Sequence, residues 1–214
     1  MKHVIAYEGK SRTALALMQE QYVPLFLPWL NWRIGIEGTL QRPPHSLAQG
    51  IEWVRGKDKS KGTDEVFAIL ERTAAGKKKS YRYVGHTGIH GLAWPDGNAK
   101  TGSIIGARGA RGKGIGTEAK LMLLYHAFMV MGVRKLTSEV KIFNARSAGH
   151  LMKCGYRYVG TYRQHHFHEG HHINEMIFEV FREDWEPIWH AYQKSGELPQ
   201  LTDAQRSELT ALTG

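Results

Sequence analysis

The chain has 214 residues, 42% hydrophobic and 23% charged, which suits one folded domain with its own core and excludes a disordered chain. Lysine plus arginine is 29 and aspartate plus glutamate 20, for a formal net charge of +9, so anionic partners are favoured: cofactor phosphates, an acidic substrate, nucleic acid or a ribosome. One cysteine, Cys154, rules out an internal disulfide, and no apolar run reaches the roughly 18–20 residues of a membrane helix; a cytoplasmic protein with no membrane partner is expected.

Residues 2–7 read as a first strand. Residues 11–22, with Leu15, Leu17 and Met18 among polar neighbours, predict a helix. The next stretch, from Tyr22 to Trp32, is apolar and aromatic, and Pro24 and Pro28 predict that it is not one regular helix. Ser46 caps a predicted helix running to about Arg55. Strands are predicted over 65–70, 81–90 and 100–106, with turns at 74–79 and 94–98. The Lys77-Lys78-Lys79 run reads as a solvated turn. A helix is predicted over 115–131, since Leu121, Leu124, Tyr125, Phe128 and Met131 recur at helical spacing and Gly132 can close it. Residues 134–143 read as a strand and 145–154 as a short helix. A hairpin turning near Glu169-Gly170 returns through 173–181, and the tail over 184–214 reads as helical, with Thr202-Asp203 capping its last helix. This order predicts an α/β layer of mixed strand directions.

The densest chemical signal is the run from Ile104 to Ala119. A strand ending Ile104-Ile105-Gly106 enters a glycine-rich loop, Arg111-Gly112-Lys113-Gly114-Ile115-Gly116, at whose end the helix over 115–131 begins. Glycines let backbone N–H groups converge, and a helix N-terminus adds unpaired donors and a positive dipole, so the loop suits a diphosphate. Arg108, Arg111 and Lys113 add charge there. The nucleotide P-loop pattern fails, because Gly114 follows Gly112-Lys113 and position 107 is alanine. The dinucleotide fingerprint fails on spacing and on its late position in the chain. A glycine-rich turn that merely caps a helix fits this stretch alone equally well.

Two later motifs join the loop: Asn144-Ala145-Arg146-Ser147, then Lys153-Cys154-Gly155-Tyr156. With Arg111 through Ala119 they resemble the GNAT acetyltransferases, and within them the RimJ/RimL type. The resemblance covers about residues 80–185, including the closing run Val180 to Trp185, and fits the N-terminal part more loosely. It implies a GNAT fold over residues 1–183, with a helical extension over 184–214 packed on the same domain. The central sheet would be mixed, mostly antiparallel, splayed between its fourth and fifth strands and flanked by helices. Acetyl-CoA would enter as co-substrate, its pantetheine along Ile104, Ile105 and Gly106 and its diphosphate on the amides of Arg111, Gly112, Lys113, Gly114, Ile115 and Gly116, beside Thr117. Asn144 and Ser147 would face the thioester.

The implied reaction is direct attack of a primary amine on the thioester, which needs a proton acceptor for the ammonium and a donor for the leaving sulfur. The tyrosine many relatives use as acid is replaced by Leu151, so Ser147 becomes the candidate acid, or else a first-turn helix residue. The RimL-type glutamate base falls at His166; Glu139 is the second candidate, and a bound water the third. No metal is expected, because the cluster His165 to His172 lacks an identifiable distant ligand. Cys154 reads as a small buried hydrophobe. Trp29 and Trp32 border the acceptor pocket or lie in the core. The acceptor is an amine on a protein N-terminus or a small molecule, and the protein a monomer or homodimer. A basic nucleic-acid- or ribosome-associated module of the same fold, and an acyl-CoA-binding domain without catalysis, remain alternatives.

Overall fold

A computed structural model describes residues 1–31, 44–58, 62–75 and 78–213. Its elements are β1 (Ile5–Glu8), β2 (Thr13–Leu17), α1 (Val23–Asn31), α2 (Leu47–Asp58), β3 (Glu65–Ala75), β4 (Lys78–Ala93) and β5 (Asn98–Ile105). Then come α3 (Ile115–Tyr125), a π-helical turn (His126–Val130), β6 (Lys135–Lys141), α4 (Ala145–Lys153), β7 (Arg157–His168), β8 (His171–Phe181), α5 (Arg182–Ser195) and α6 (Asp203–Thr213). The eight strands form one sheet in the order β1-β2-β3-β4-β5-β6-β8-β7. Among the described residues only β5 and β6 pair in parallel; the other pairs are antiparallel. This is the mixed, helix-flanked α/β sheet the sequence predicts.

The parallel pair is what opens the site. It is registered at Asn98↔Lys135, Ala99↔Leu136 and Lys100↔Thr137, and no further, although β5 runs on to Ile105 and β6 to Lys141. Just past the last pair, the Ser138 hydroxyl donates to the Thr101 carbonyl at 3.0 Å, a side chain replacing the missing ladder bond. Beyond it the strands part. The parting strands are the fifth and sixth rather than the fourth and fifth, because a strand precedes them that the sequence argument missed.

That strand is β2. Residues 11–22 are not a helix: 13–17 pair with both β1 and β3, and only Glu20–Tyr22 makes a helical (3-10) turn. Thr13, Ala14, Leu15 and Ala16 are buried, so both faces of the strand are covered and tertiary pairing overrides helical propensity. The proline-broken segment is also corrected, because 23–31 form one helix with Pro28 inside it. Pro24 lies in the first turn, where an N–H has no helical partner, and Pro28 forgoes a single bond. The helix over 115–131 ends its α-helical part at Tyr125 and continues as the π turn.

Two buried charges mark α3. Glu118 is fully buried, and its carboxylate accepts from the N–H groups of Ser11, Arg12 and Thr13 at 2.6–3.0 Å and from the Tyr192 hydroxyl at 2.5 Å. It therefore holds the entry to β2 and the end of α5 against α3. Lys120, 1% exposed, lies over the Tyr156 ring, and burial lowers its ammonium to about pH 8 from 10.5. A lowered lysine pKa means that the unfolded chain binds the extra proton between those values. The cost is therefore fully present below about pH 8 and disappears as pH rises toward 10.5. Lys120→Met is expected to raise unfolding free energy at pH 7 by about 1–3 kcal/mol and to flatten the rise in stability above pH 8, as read by urea unfolding. Stability unchanged at pH 7 would contradict the lysine's cost.

The tail packs on the same core. Trp185 and Tyr192 are buried, and Leu198, Leu201 and Leu209 pack against the main cluster. Among the described residues no helix is long and apolar enough to cross a membrane.

Candidate active site

The glycine loop closes the wedge between β5 and β6. Gly112 and Gly114 take left-handed φ of 76° and 78°, and Gly114 is the N-cap of α3, with no side chain capping the helix. The N–H of Arg111 is committed to the Arg108 carbonyl. Among the described residues, no loop, turn or cap bond uses the N–H groups of Gly112 to Thr117, and the first helical bond runs from Glu118 to Gly114. An uncapped row of donors at a helix N-terminus is an anion site.

These donors open into a cleft of about 620 Å³. Of the predicted cofactor residues, Ile104, Ile105, Arg111, Gly112, Gly114, Ile115, Gly116, Thr117 and Asn144 line it, as do Ser147 and Trp29. Lys113 and Gly106 do not. Lys113 reaches the Glu71 carboxylate at 3.8 Å, and Gly106 lies against the Trp29 ring, which a Cβ there would overlap. The Gly106 N–H is held by the Val84 carbonyl at 3.0 Å, so it is not available to pantetheine. Strand alternation corrects the backbone partners. Thr101 turns its carbonyl to the gap, so Ser103 and Ile105 face it too, while Gly102 and Ile104 face β4. The Ile105 carbonyl already accepts from Arg111 Nε at 2.8 Å.

The chemistry of the cleft fits a phosphorylated coenzyme. Burial first, then Arg146 and Arg108, lower the Arg111 pKa, so neighbouring guanidinium groups oppose its charge here. His150 also lines the cleft, and its buried Nε2 has no hydrogen-bond partner among the described residues. Burial, then Lys120 and Lys153, hold its pKa down near 3, so the ring is neutral and retains an unused polar atom for a ligand.

At the opposite wall Asn144 is the N-cap of α4, its Oδ1 accepting from the Ser147 N–H at 3.1 Å. The Ser147 backbone thus belongs to the cap. Its hydroxyl has no hydrogen-bond partner among the described residues.

A second cavity of about 290 Å³ lies beside the first and shares Ser103 and Ile104 with it. Its walls come from α1 and α2, including Leu30 and Trp53, and its floor from Gly88, His90 and Gly102. Trp32 lies outside the described residues. Burial lowers His86 in this cavity to about 4, and its Nδ1 meets the Tyr83 hydroxyl at 3.1 Å. His90 Nδ1 lies 3.2 Å from Asp64 Oδ1.

The structure does not bring Glu139 or His166 to either cavity lining. Glu139 pairs with Lys100 at 2.6 Å. A bulge in β7, with Gln164 at a φ of 52°, turns His165 and His166 toward Glu175 of β8, at 3.5 and 2.9 Å. Lys141 enters the same cluster, pairing with Glu175 and lying 2.5 Å from His166 Nε2. Burial would raise the Glu175 pKa, but Lys141 and His166 outweigh it and hold the carboxyl below its usual value. His165, His166 and Glu175 have the spacing of metal ligands, with the Lys141 ammonium among them. Cys154 is buried, and burial pushes its thiol up to about 12, so it is unreactive.

Ser103, His150, Asp64 and His90 were not picked out in the sequence. The last three are isolated letters in unremarkable stretches: α4 carries His150 to the coenzyme cleft, β4 carries His90 to the second cavity, and Asp64 reaches His90 from just before β3.

A family profile described as "Acetyltransferase (GNAT) domain" matches residues 13–157. No curated protein matches the chain. Among solved structures, spermidine N-acetyltransferase from Vibrio cholerae, in complex with CoA and spermine, superposes with a TM-score of 0.71 at 16% identity, covering 82% of this chain and 99% of its own. The microcin C7 self-immunity acetyltransferase MccE, in complex with acetyl-CoA and AMP, superposes at 0.64 with 16% identity, covering 80% and 93%.

Proposed function

The chain belongs to the GNAT acetyltransferase family, and from that membership we propose that it moves the acetyl group of acetyl-CoA directly onto a primary amine, as an enzyme of the RimJ/RimL type. The observation that carries this reading is the uncapped row of N–H groups from Gly112 to Thr117, opening into the β5–β6 cleft beside Arg111 and Arg146. Acetyl-CoA, when bound, supplies an activated carbonyl. The protein's part is to grip and to move protons. Gly112 to Thr117 hold the diphosphate, the gap-facing backbone of Ser103 and Ile105 guides the pantetheine, and His150 Nε2 offers one further polar contact. Ser147, on the first turn of α4, offers its hydroxyl to the departing sulfur. The acceptor is a protein N-terminus or a small-molecule amine, reaching the thioester from the second cavity across Ser103 and Ile104.

Ser147→Ala is expected to lower kcat by about 10- to 100-fold, since a thiolate leaves readily and needs only partial help. Coenzyme affinity by calorimetry should stay unchanged, because the cap depends on the Ser147 N–H and not on its hydroxyl. Loss of coenzyme binding instead would show that the hydroxyl is structural.

A further inference from the structure

We propose that the Asp64–His90 pair is the proton acceptor for the incoming amine, and that the cavity it faces seats a primary amine carried on an apolar or aromatic group. This rests on the acetyl-transfer reading above.

His90 lies on β4, opposite Lys100 of β5, and Asp64 comes just before β3. A carboxylate can only accept, so the 3.2 Å contact between Asp64 Oδ1 and His90 Nδ1 places the ring proton on Nδ1 and leaves the Nε2 lone pair open. The Gly91 N–H, also 3.2 Å from Asp64 Oδ1, and the Lys57 ammonium, 3.7 Å from Oδ2, hold the carboxylate in place. The His90 ring lies over two glycines. A Cβ on Gly88 would stand 3.0 Å from its Cε1 and Nε2 and 2.7 Å from the Glu65 carbonyl, and one on Gly102 would stand 3.7 Å from Nε2. The ring thus takes the room that side chains there would fill. His90, Gly88 and Gly102 all line the cavity that adjoins the coenzyme cleft at Ser103 and Ile104.

Burial lowers the His90 pKa below 6.5, Asp64 opposes it, and Lys57 and Lys120 reinforce it. Lys100, paired with Glu139, lies opposite His90 on β5, and His45 and the neutral His86 line the same cavity. His90 is thus neutral near pH 7, as a base must be. Its cavity is walled by Phe26, Leu27, Leu30, Trp53 and Val66, and no carboxylate is among its described lining residues. Such walls disfavour a polycation, and by disfavouring charge they lower the pKa of a bound ammonium toward that of the base.

His90 Nε2 takes one proton from the ammonium. The freed nitrogen pair bonds to the thioester carbonyl carbon, and the carbon–sulfur bond breaks. The sulfur leaves with its electron pair and takes the Ser147 hydroxyl proton, which a second nitrogen proton replaces, while the third stays on the amide. The imidazolium then releases its proton to water.

The test is thiol release from acetyl-CoA with 2-phenylethylamine, a phenylalanyl tripeptide and spermidine as acceptors, across pH 5–10. The aromatic amines should be acetylated with kcat/KM about 10-fold or more above spermidine's. His90→Gln should lower kcat by about 100-fold and Asp64→Asn by about 10-fold, with acetyl-CoA affinity retained in both. The wild-type rate should climb as pH rises through a value below 6.5. His90→Gln should lose that limb and climb only toward the pKa of the free amine. A His90→Gln enzyme with the wild-type rate and limb would overturn the base assignment, as would loss of acetyl-CoA binding in both variants, which would make the pair structural. A preference for spermidine would overturn the pocket's substrate class. Acetyl-CoA bound but passed to no amine would instead sink the transfer reading itself.

Discussion

Gly114→Val is expected to weaken coenzyme A binding by about 100-fold or more. The residue sits at a φ of 78°, where a β-branched side chain is strained, and its Cβ would overlap the Leu198 side chain. Relieving both shifts the N-cap of α3 and turns the following N–H groups away from the cleft. Losing two charge-assisted bonds of about 1.5 kcal/mol each accounts for roughly a 100-fold change. Gly112→Ala is the control. It shares the left-handed φ, 76°, but has no atom within 4 Å of a Cβ. It should cost only about 1 kcal/mol of backbone strain, leaving binding within about 10-fold of wild type. Equal losses in the two variants would show that the loop does not act through the cap of α3.

The second large effect concerns stability. Glu118→Ala should lower the unfolding free energy by about 3–5 kcal/mol, because it strips acceptors from three N–H groups and the Tyr192 hydroxyl at once. For a chain of this size that shift is worth about 6–20 °C in Tm. Glu118→Gln keeps one acceptor oxygen and should lose about half as much. A Tm within about 2 °C of wild type for Glu118→Ala would show that the β2 entry is held by the sheet alone. Gly9 gives the same point from the other side, since a Cβ there would run into the Glu118 carboxylate. The glutamate of the loop motif therefore serves the fold rather than the coenzyme.

The loop and the two later motifs were legible because each is a local pattern: glycines before a helix, an asparagine cap, a closing turn. The presence of the strands from β3 onward, though not the order in which they pair, followed from hydrophobic alternation and turn residues in the same way. β2 was not legible, because 13–17 are extended only through pairing on both edges and through the Glu118 carboxylate, more than a hundred residues away in sequence. Pro28 misled for the converse reason: one missing bond does not break a nine-residue helix packed on its neighbours. His166 was placed by counting along the chain, but the β7 bulge turns it toward Glu175. His90 lay in a strand correctly read as a strand, yet its chemistry depends on Asp64, Gly88 and Gly102, which only the β3–β4–β5 register and the turn into β3 bring together.

In the proposed function, N–H groups from Gly112 to Thr117, backed by the dipole of α3, hold the diphosphate of coenzyme A. Calorimetric titration of the wild-type protein and of Gly114→Val with coenzyme A and with pantetheine, which lacks the diphosphate and its phosphoadenosine, tests that grip. Coenzyme A should bind about 100-fold or more tightly than pantetheine, and Gly114→Val should erase most of that difference. Equal affinities for the two ligands, or no heat with coenzyme A, would contradict it.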